Sequence, residues 1–154
     1  MARIDYDALD ARIAALVEGV EDDIARMATL TCEVHHADER FDWTGFYRVT
    51  GPQMLTVGPY QGGHGCLSIP FSQGVCGAAA RSGQIQLVPD VEAFEGHIAC
   101  SGSTRSELVL PVTDASGKLI AVFDIDSDRP DAFTHEDADR LAAILARTFG
   151  SGRA

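Results

Sequence analysis

The stretch SELVLPVTDASGKLIAVFDIDS, residues 106–127, decides the fold. It contains two runs of β-branched and aliphatic residues, separated by the turn-forming residues 114–117. Two such runs joined by a short turn that contains glycine are typical of an antiparallel β-hairpin. We therefore predict two neighbouring strands here. Glu107 begins the first strand, and Asp124 and Asp126 end the second.

The three acids of this hairpin are candidate functional residues. Side chains alternate across a strand, so Asp124 and Asp126 are expected on one face, and pairing of the strands would bring both near Glu107. Carboxylates at strand ends are often simply solvated. Converging acids could also bind an ammonium group or share protons, since crowded carboxyls raise one another's pKa.

The segments on either side of the hairpin predict further strands and one short helix. FDWTGFYRV (41–49) and QMLTVGPY (53–60) are typical of a second hairpin, with a turn at residues 50–52. CLSIPF and QIQLVPDV predict two short strands, and between them GVCGAAARSG predicts a short helix closed by Gly83. Residues 90–105 lack a clear period, so we expect a helical turn and an irregular active loop there.

Helices are predicted at both ends of the chain. Apolar residues spaced by three and four predict one long amphipathic helix over residues 6–32. Its apolar stripe is Tyr6, Leu9, Ile13, Leu16, Val20, Ile24 and Met27. Thr134 and Asp137 form a capping-box pattern that begins a closing helix, which we expect to end at Gly150.

Length and charge limit the classes of function. The chain has 154 residues, typical of one domain, with 12 basic and 23 acidic residues and a formal charge of −11. Such a charge disfavours nucleic acid and anionic membranes as partners. The N-terminus lacks the pattern of a targeting signal, and no apolar stretch reaches the roughly 18 residues of a membrane span. We expect a cytoplasmic protein of one domain, residues 1–154, divided into 1–40 (N-terminal helix and connection), 41–149 (sheet, loops and closing helix) and 150–154 (tail).

Three cysteines, Cys66, Cys76 and Cys100, fall within thirty-five residues, each beside glycine or another small residue. In the cytosol, thiols start reduced, and reversible disulfides serve catalysis or sensing. Cys100 has the strongest case for reactivity. It lies in a loop rich in Ser, Gly and Thr, and His97 and Arg105 are its nearest potentially positive neighbours.

The other cysteines have less reactive interpretations. Cys66 follows a Gly-rich run and could swing toward a partner thiol, or it could be a small core residue. Cys76 could be a helix-start thiol of lowered pKa or a packing residue. Cys32, near the end of the N-terminal helix, is expected to be buried and inert.

Two further constellations have alternative interpretations. His64, Cys66, His97 and Cys100 are the ligand types of tetrahedral zinc, but their spacing is not that of a known zinc finger. Trp43 and Tyr47 are four apart in a strand and therefore share a face. They could form a wall for a small apolar group, or they could be ordinary core residues.

With these residues identified, the chain resembles the free methionine-(R)-sulfoxide reductase family, small enzymes built on a single GAF domain. The resemblance covers about residues 41–145. It is carried by WTGFY at 43–47, CLSIPF at 66–71, GVCG at 74–77, GHIAC at 96–100, SELVLP at 106–111 and DIDS at 124–127. The resemblance implies an α+β fold. We expect a GAF-like antiparallel sheet flanked by helices, with the long N-terminal helix and the C-terminal helix packed together.

The resemblance also implies roles for the three clustered cysteines. Cys100 would be the nucleophile that attacks the sulfoxide sulfur and becomes a sulfenic acid. Cys66 would resolve it as a disulfide, and Cys76 would be a secondary resolving thiol. A thioredoxin-like dithiol would then reduce the disulfide and restore both thiols, so the oxidation of the cysteines is reversible.

The substrate-binding residues implied by the resemblance are the three acids and the two aromatics. Glu107, Asp124 and Asp126 would hold the ammonium group and hydrogen-bond the sulfoxide oxygen. Trp43 and Tyr47 would pack around the S-methyl group. No cofactor or metal is expected, and a homodimer through the N-terminal helix and the sheet edge is expected. The alternative is a non-enzymatic GAF module that binds a small ligand or senses oxidation.

Overall fold

Six antiparallel strands form one sheet in the structure, a computed structural model that describes residues 3–150. The strands are β1 Trp43–Gly51, β2 Met54–Gln61, β3 Ser68–Pro70, β4 Gln86–Val88, β5 Ser106–Thr113 and β6 Leu119–Ser127. They lie in the order β3-β2-β1-β6-β5-β4. The helices are α1 Tyr6–Val17, α2 Asp23–His35, α3 Gly74–Ser82 and α4 His135–Leu145, with a 3₁₀ turn at Val91–Ala93. The predicted α+β class, an antiparallel sheet flanked by helices, is confirmed.

The hairpin that the sequence predicts at residues 106–127 lies in the middle of this sheet. β5 pairs with β6, and β6 pairs with β1 on its other side. In the turn, the Asp114 side chain accepts hydrogen bonds from the backbone N–H groups of Ser116 (2.9 Å) and Lys118 (3.1 Å). These bonds close the turn and fix which side chains face each other across the two strands.

The sheet has a helix-covered face and a second face that carries the candidate site. We call them the helical face and the site face. On the helical face, strand residues such as Phe46, Leu110 and Phe123 pack against α1, α2 and α4. On the site face, a second cluster includes Tyr47, Val109 and residues of α3. Because side chains alternate along each strand, neighbouring residues of β5 and β6 enter opposite layers.

The predicted N-terminal helix is wrong as one element, because the structure divides it into α1 and α2. Gly19 between them has φ of 74°, a left-handed conformation that favours glycine and cannot continue a helix. Asp22 then caps α2, its side chain accepting from the Ala25 N–H at 2.9 Å. The break moves the predicted apolar stripe out of register, and Leu16 and Ile24 are 51% and 47% exposed.

The closing helix α4 begins at the predicted capping box, where Thr134 and Asp137 each bond the other's backbone N–H. After Leu145 the helix widens into a π-helical turn, Ala146–Gly150. The predicted contact between the two ends of the chain is confirmed, since Tyr6 of α1 donates a hydrogen bond of 2.6 Å to Asp137.

Within residues 3–150, no helix is both long enough and apolar enough to cross a membrane. The predicted tail at 150–154 lies outside the described residues except for Gly150. The division of the chain into a single domain with these boundaries remains a prediction.

Candidate active site

A pocket opens on the site face, and all eight residues that the sequence analysis proposed as site residues contribute to this region. Seven of them line the pocket itself: Trp43, Tyr47, Cys76, Cys100, Glu107, Asp124 and Asp126. The eighth, Cys66, is bonded to Cys100. The pocket floor is the β1-β6-β5 part of the sheet, and its walls come from α3 and the loops at residues 62–66 and 96–104.

Strand register brings the three acids together. Glu107 on β5 lies opposite Asp126 on β6, and Asp124 is two residues earlier on the same face of β6. Glu107 and Asp124 are buried, 7% and 4% exposed, and Asp126 is partly exposed. The predicted convergence of these acids is confirmed, and they are not the solvated strand ends that the sequence left as an alternative.

Burial and mutual repulsion disfavour ionisation of these carboxyls. Burial raises the pKa of Glu107, and the charge of Asp124 raises it further. Burial also raises the pKa of Asp124, and the charge of Asp126 raises it further. Burial likewise raises the pKa of Asp126, and the charge of Glu107 raises it further. Groups that crowd in this way share protons, so the cluster can keep a neutral carboxyl that donates a hydrogen bond.

Two oxygens of this cluster have no partner. Asp124 Oδ1 and Asp126 Oδ1 are buried, and neither makes a hydrogen bond within the described part of the chain. No lysine or arginine of residues 3–150 is among the main causes of the raised pKa values of the three acids. Buried carboxyls normally have a partner, so this cluster has the chemistry of a site for a cation or a hydrogen-bond donor.

Cys76 lies in the first turn of α3, beside the acids, and is only 3% exposed. Its Sγ lies within 4.8 Å of a carboxylate oxygen of Glu107 and one of Asp124. Burial raises the pKa of Cys76, and the neighbouring acids raise it further. Of the two alternatives that the sequence left open, the helix-start thiol with a lowered pKa is wrong: burial and the neighbouring acids outweigh the helix N-terminus, and Cys76 is a buried thiol whose pKa is raised.

Cys66 and Cys100 form a disulfide with a Cα–Cα distance of 5.2 Å. Cys66 precedes β3, and Cys100 lies in the loop after the 3₁₀ turn, where its N–H donates to the Ile98 carbonyl at 3.1 Å. The pairing implied by the family resemblance is confirmed. The zinc alternative is excluded for this form, because the two sulfurs are bonded to each other and cannot both be thiolate ligands.

Trp43 and Tyr47 form an aromatic wall beside the acids. Their rings are stacked, with centroids 5.7 Å apart, and the Trp43 Nε1–H donates to the Gly63 carbonyl at 2.7 Å. Tyr60, which sequence reasoning missed, stacks on Trp43 with centroids 5.3 Å apart. Gly65 packs closely against these rings, and a Cβ at this position would lie 3.0 Å from the Tyr47 hydroxyl oxygen.

Of the two potentially positive neighbours of Cys100, the structure places His97 in the pocket and Arg105 outside it. His97 and His64 line the pocket, and burial lowers the pKa of His97, which favours its neutral form. Arg105 is exposed and is not among the lining residues. The lining residues include no lysine or arginine that would offset the acids.

Sequence reasoning missed the apolar part of the lining, which is Ile69, Val75 and Ile98. Gly74 joins two of these walls, because its N–H donates to the Gly96 carbonyl at 3.0 Å. It has φ of 70°, and a Cβ there would meet the Ile98 side chain at 3.3 Å. Its position at the start of the GVCG motif was the available signal, since a glycine at the start of a helix often permits a close approach.

Cys32 corrects a further expectation, because it is exposed on α2 and not buried. Its Sγ lies 3.8 Å from His36 Nδ1, one helical turn away. The buried face of α2 is formed by Met27, Leu30, Thr31 and Val34, and Cys32 falls on the other side.

The fold and this site define a GAF-domain protein, and the GAF domain family matches residues 11–152. The free methionine-R-sulfoxide reductase of Escherichia coli is 36% identical over 92% of this chain and 85% of its own length. Protein YtsP of Bacillus subtilis is 39% identical over 89% of this chain and 84% of its own length. The free methionine-R-sulfoxide reductase of Neisseria meningitidis, solved in complex with its substrate, superposes with a TM-score of 0.87 and 36% identity over 94% of this chain and 87% of that chain. The chain belongs to the free methionine-R-sulfoxide reductase family.

Proposed function

We propose that this protein reduces free L-methionine-(R)-sulfoxide to methionine, with Cys100 as the nucleophile. One observation carries the proposal. A disulfide between Cys66 and Cys100 borders the same pocket as a group of acids in which two buried oxygens, Asp124 Oδ1 and Asp126 Oδ1, have no hydrogen-bond partner in the described part of the chain. Redox-active sulfur and a cation site are the two features that reduction of a sulfoxide amino acid requires.

The acids give a physical reason for a free amino acid as substrate. Its ammonium group would supply the missing cation to Glu107, Asp124 and Asp126. In a peptide the corresponding nitrogen is an uncharged amide, so the carboxylates would stay buried without a counter-charge. Such a mismatch costs several kcal/mol, on the order of a hundredfold or more in affinity.

The chemical step transfers oxygen from the substrate to the enzyme. Cys100 sulfur attacks the sulfoxide sulfur, and a neutral carboxyl of the acid cluster hydrogen-bonds the sulfoxide oxygen and donates its proton. Methionine leaves, its sulfur reduced by two electrons. The S–O bond of the sulfoxide and the bond between the two sulfurs break, and the oxygen passes to the Cys100 sulfur as a sulfenic acid, so Cys100 is oxidised by the same two electrons. The proton of the Cys100 thiol replaces the one that the carboxyl donated.

The resolving step forms the disulfide. Cys66 sulfur attacks the sulfenic sulfur of Cys100, and the oxygen leaves as water. A thioredoxin-like dithiol then exchanges with the disulfide and restores both thiols. Cys76 is the second resolving thiol in this proposal, but as a buried, protonated group it would have to lose its proton and gain access before it could act.

The size of the pocket indicates an order of events. With the disulfide closed, the cavity measures about 40 Å³. Sites for small molecules enclose roughly 300–1,000 Å³. The closed form therefore has room for a few water molecules, and we infer that reduction of the disulfide precedes binding of the next substrate.

The aromatic wall would select one sulfoxide epimer. Trp43 and Tyr47 offer an apolar surface for the S-methyl group, while the acids fix the ammonium and the thiol fixes the direction of attack. Three fixed points around a tetrahedral sulfur distinguish its two configurations.

The decisive experiment is incubation of the reduced protein with racemic free methionine sulfoxide and dithiothreitol, with each epimer followed by chiral chromatography. The R epimer should disappear and the S epimer should persist. Cys100→Ser should abolish the reaction, while Cys32→Ser, a matched change at an exposed cysteine outside the pocket, should leave it unchanged. Persistence of the R epimer at its starting level would refute the proposal.

A second experiment separates attack from resolution. Without added dithiol, Cys66→Ser should release about one methionine per chain and keep Cys100 as a sulfenic acid, which dimedone would label. Labelling at Cys76 in place of Cys100 would assign the nucleophile differently.

We also propose a cytoplasmic homodimer. Leu16 and Ile24, which are exposed at the junction of α1 and α2, support an interface at the N-terminal helices. Leu16→Asp should then yield monomers in light scattering, and an unchanged mass would place the interface elsewhere.

A further inference from the structure

We propose that the pocket floor is also a binding site for a thiophilic divalent cation such as Zn²⁺ or Cd²⁺, held by Cys76 Sγ and the carboxylates of Glu107 and Asp124. The cation would occupy the place that the substrate's ammonium takes. Binding of the cation stands independently of the proposed function, and only its competition with substrate rests on it.

The geometry is close to that of a three-ligand metal site. One ligand atom from each residue lies within 4.8 Å of the other two. Zinc bonds are about 2.3 Å to sulfur and about 2.0–2.2 Å to carboxylate oxygen, so two ligand atoms on one tetrahedral ion lie roughly 3.3–3.6 Å apart. A pair of ligand atoms at the outer limit of 4.8 Å would have to approach by roughly 1 Å, which small side-chain rotations can supply, to bind one ion.

An unpartnered atom points to a ligand at this position. Asp124 is 4% exposed, it lines the pocket, and its Oδ1 has no hydrogen-bond partner among the described residues. A divalent cation would satisfy that oxygen and would offset the repulsion between the crowded carboxyls. Asp126, whose Oδ1 also has no partner, borders the site and would hold a water ligand or become the fourth ligand.

The thiol determines which cation is favoured. An ammonium group needs only the acids, and Mg²⁺ or Ca²⁺ prefers oxygen ligands alone. A sulfur with two carboxylates favours Zn²⁺, Cd²⁺ or Co²⁺, and binding would remove the thiol proton. The fourth position faces the pocket, so a bound cation would keep water there and exclude the amino acid.

The protein offers an internal control for this proposal. When the Cys66–Cys100 disulfide is intact, the remaining free thiols are Cys32 and Cys76. Cys32 is exposed on α2 with His36 beside it, and within residues 3–150 it belongs to no group of three metal-ligand residues. Cadmium binding at the two thiols can therefore be separated by single substitutions.

The test is titration of the oxidised protein with CdCl₂, with the ultraviolet thiolate-to-cadmium charge-transfer band as the readout. We expect a band that saturates at one Cd²⁺ per chain with release of a proton. Cys76→Ala should abolish the band, and Cys32→Ala should keep it. Absence of a band in the wild-type protein, or a band lost only in Cys32→Ala, would overturn the proposal.

A second variant guards against misfolding of Cys76→Ala. Asp124→Asn keeps the shape of the side chain and should weaken Cd²⁺ binding at least tenfold, and an unchanged Kd would remove Asp124 from the site. Competition is tested in the Cys66→Ser/Cys100→Ser double variant, where methionine sulfoxide should raise the apparent Kd for Cd²⁺. An unchanged Kd there would show that cation and substrate do not share the site. Because the readout is spectroscopic, these outcomes do not depend on whether the protein turns over a sulfoxide.

Discussion

Two groups of buried carboxyls lie on opposite sides of the sheet, and only one of them has a cation. On the helical side, Asp137 is 4% exposed and pairs with Arg40 through two hydrogen bonds, at 2.8 and 3.3 Å. Tyr6 adds a hydrogen bond of 2.6 Å to the same carboxylate. On the site side, Glu107 and Asp124 are equally buried and have no basic partner among the described residues. The hydrogen bonds of the first group contribute to stability, whereas the second group keeps carboxyl oxygens without partners that a ligand can bind.

The two groups differ in pKa as a direct result. Burial alone would raise the pKa of Asp137, but its hydrogen bonds from Arg40 and Tyr6 outweigh burial and lower it. Burial and repulsion raise the pKa of the site acids. Carboxyls of similar exposure therefore have opposite pKa shifts, and the hydrogen bonds from Arg40 and Tyr6 account for the lowered pKa of Asp137.

The largest expected effect is on activity. Glu107→Gln removes a charge that we propose holds the substrate's ammonium, and kcat/KM for free methionine-(R)-sulfoxide should fall about 100- to 1,000-fold, or roughly 3–4 kcal/mol. Steady-state kinetics would measure it. Glu39→Gln, at a carboxylate that is 74% exposed, is the matched control and should change kcat/KM less than twofold. A loss below threefold in Glu107→Gln would mean that the site acids do not hold the substrate.

The corresponding change on the helical side should affect stability. Arg40→Met leaves Asp137 buried without its cation, and we expect the free energy of unfolding to fall by about 3 kcal/mol. Urea denaturation would measure it. Arg12→Met is the control, because Arg12 is 70% exposed in its pair with Glu33, and its cost should be below about 1 kcal/mol. If the two substitutions cost the same, Arg40 does not compensate a buried charge.

The sequence was sufficient to predict the site acids but not their lack of a partner. The alternation in FDIDS placed Asp124 and Asp126 on one face, and strand pairing added Glu107. Whether a basic side chain also reaches them depends on residues distant in sequence, since Arg40 and Asp137 are 97 positions apart. That distinction is a property of the tertiary structure.

The N-terminal region shows a second limit of sequence reasoning. A spacing of three and four continues from Tyr6 to Met27, yet Gly19 and the Asp22 cap divide the helix. Periodicity records which residues are apolar, while a single left-handed glycine redirects the chain at little energetic cost. The burial of Cys76 was likewise left open by the sequence, because a thiol in GVCG fits both a packing and a reactive role.

A smaller effect concerns the stability of the unliganded protein. Glu107→Gln, which should impair activity, should raise the free energy of unfolding at pH 7 by about 1 kcal/mol, because it removes a carboxyl that folding must either keep charged beside other acids or protonate. Acids with raised native pKa values contribute stability that is fully present below the unfolded pKa of about 4 and is lost as pH rises through the native pKa. The gain should therefore shrink toward pH 4.

Urea denaturation of both proteins from pH 4 to pH 8 would measure this trend. Asp137 has the opposite sign: its lowered pKa gives stability above pH 4 that is lost as pH falls through its native value. Asp137→Asn should therefore cost more at pH 7 than at low pH. A Glu107→Gln variant that is less stable than the wild type at pH 7 would show that the site acids are already compensated.

The smallest effect is expected at Tyr47, one of two buried tyrosines of which each lies beside one group of acids. Tyr6→Phe removes a buried hydrogen bond to Asp137 and should cost about 1–2 kcal/mol of unfolding free energy, because the carboxylate loses one of its donors. Tyr47 is as buried, but within residues 3–150 its hydroxyl makes no hydrogen bond, so Tyr47→Phe should change stability by less than about 0.5 kcal/mol. Thermal unfolding of the two variants at pH 7 would measure the difference. Equal costs would mean that Tyr47 already donates a hydrogen bond to the site acids in the free protein. Both groups of carboxyls would then have a tyrosine donor, and they would differ only in the presence of Arg40.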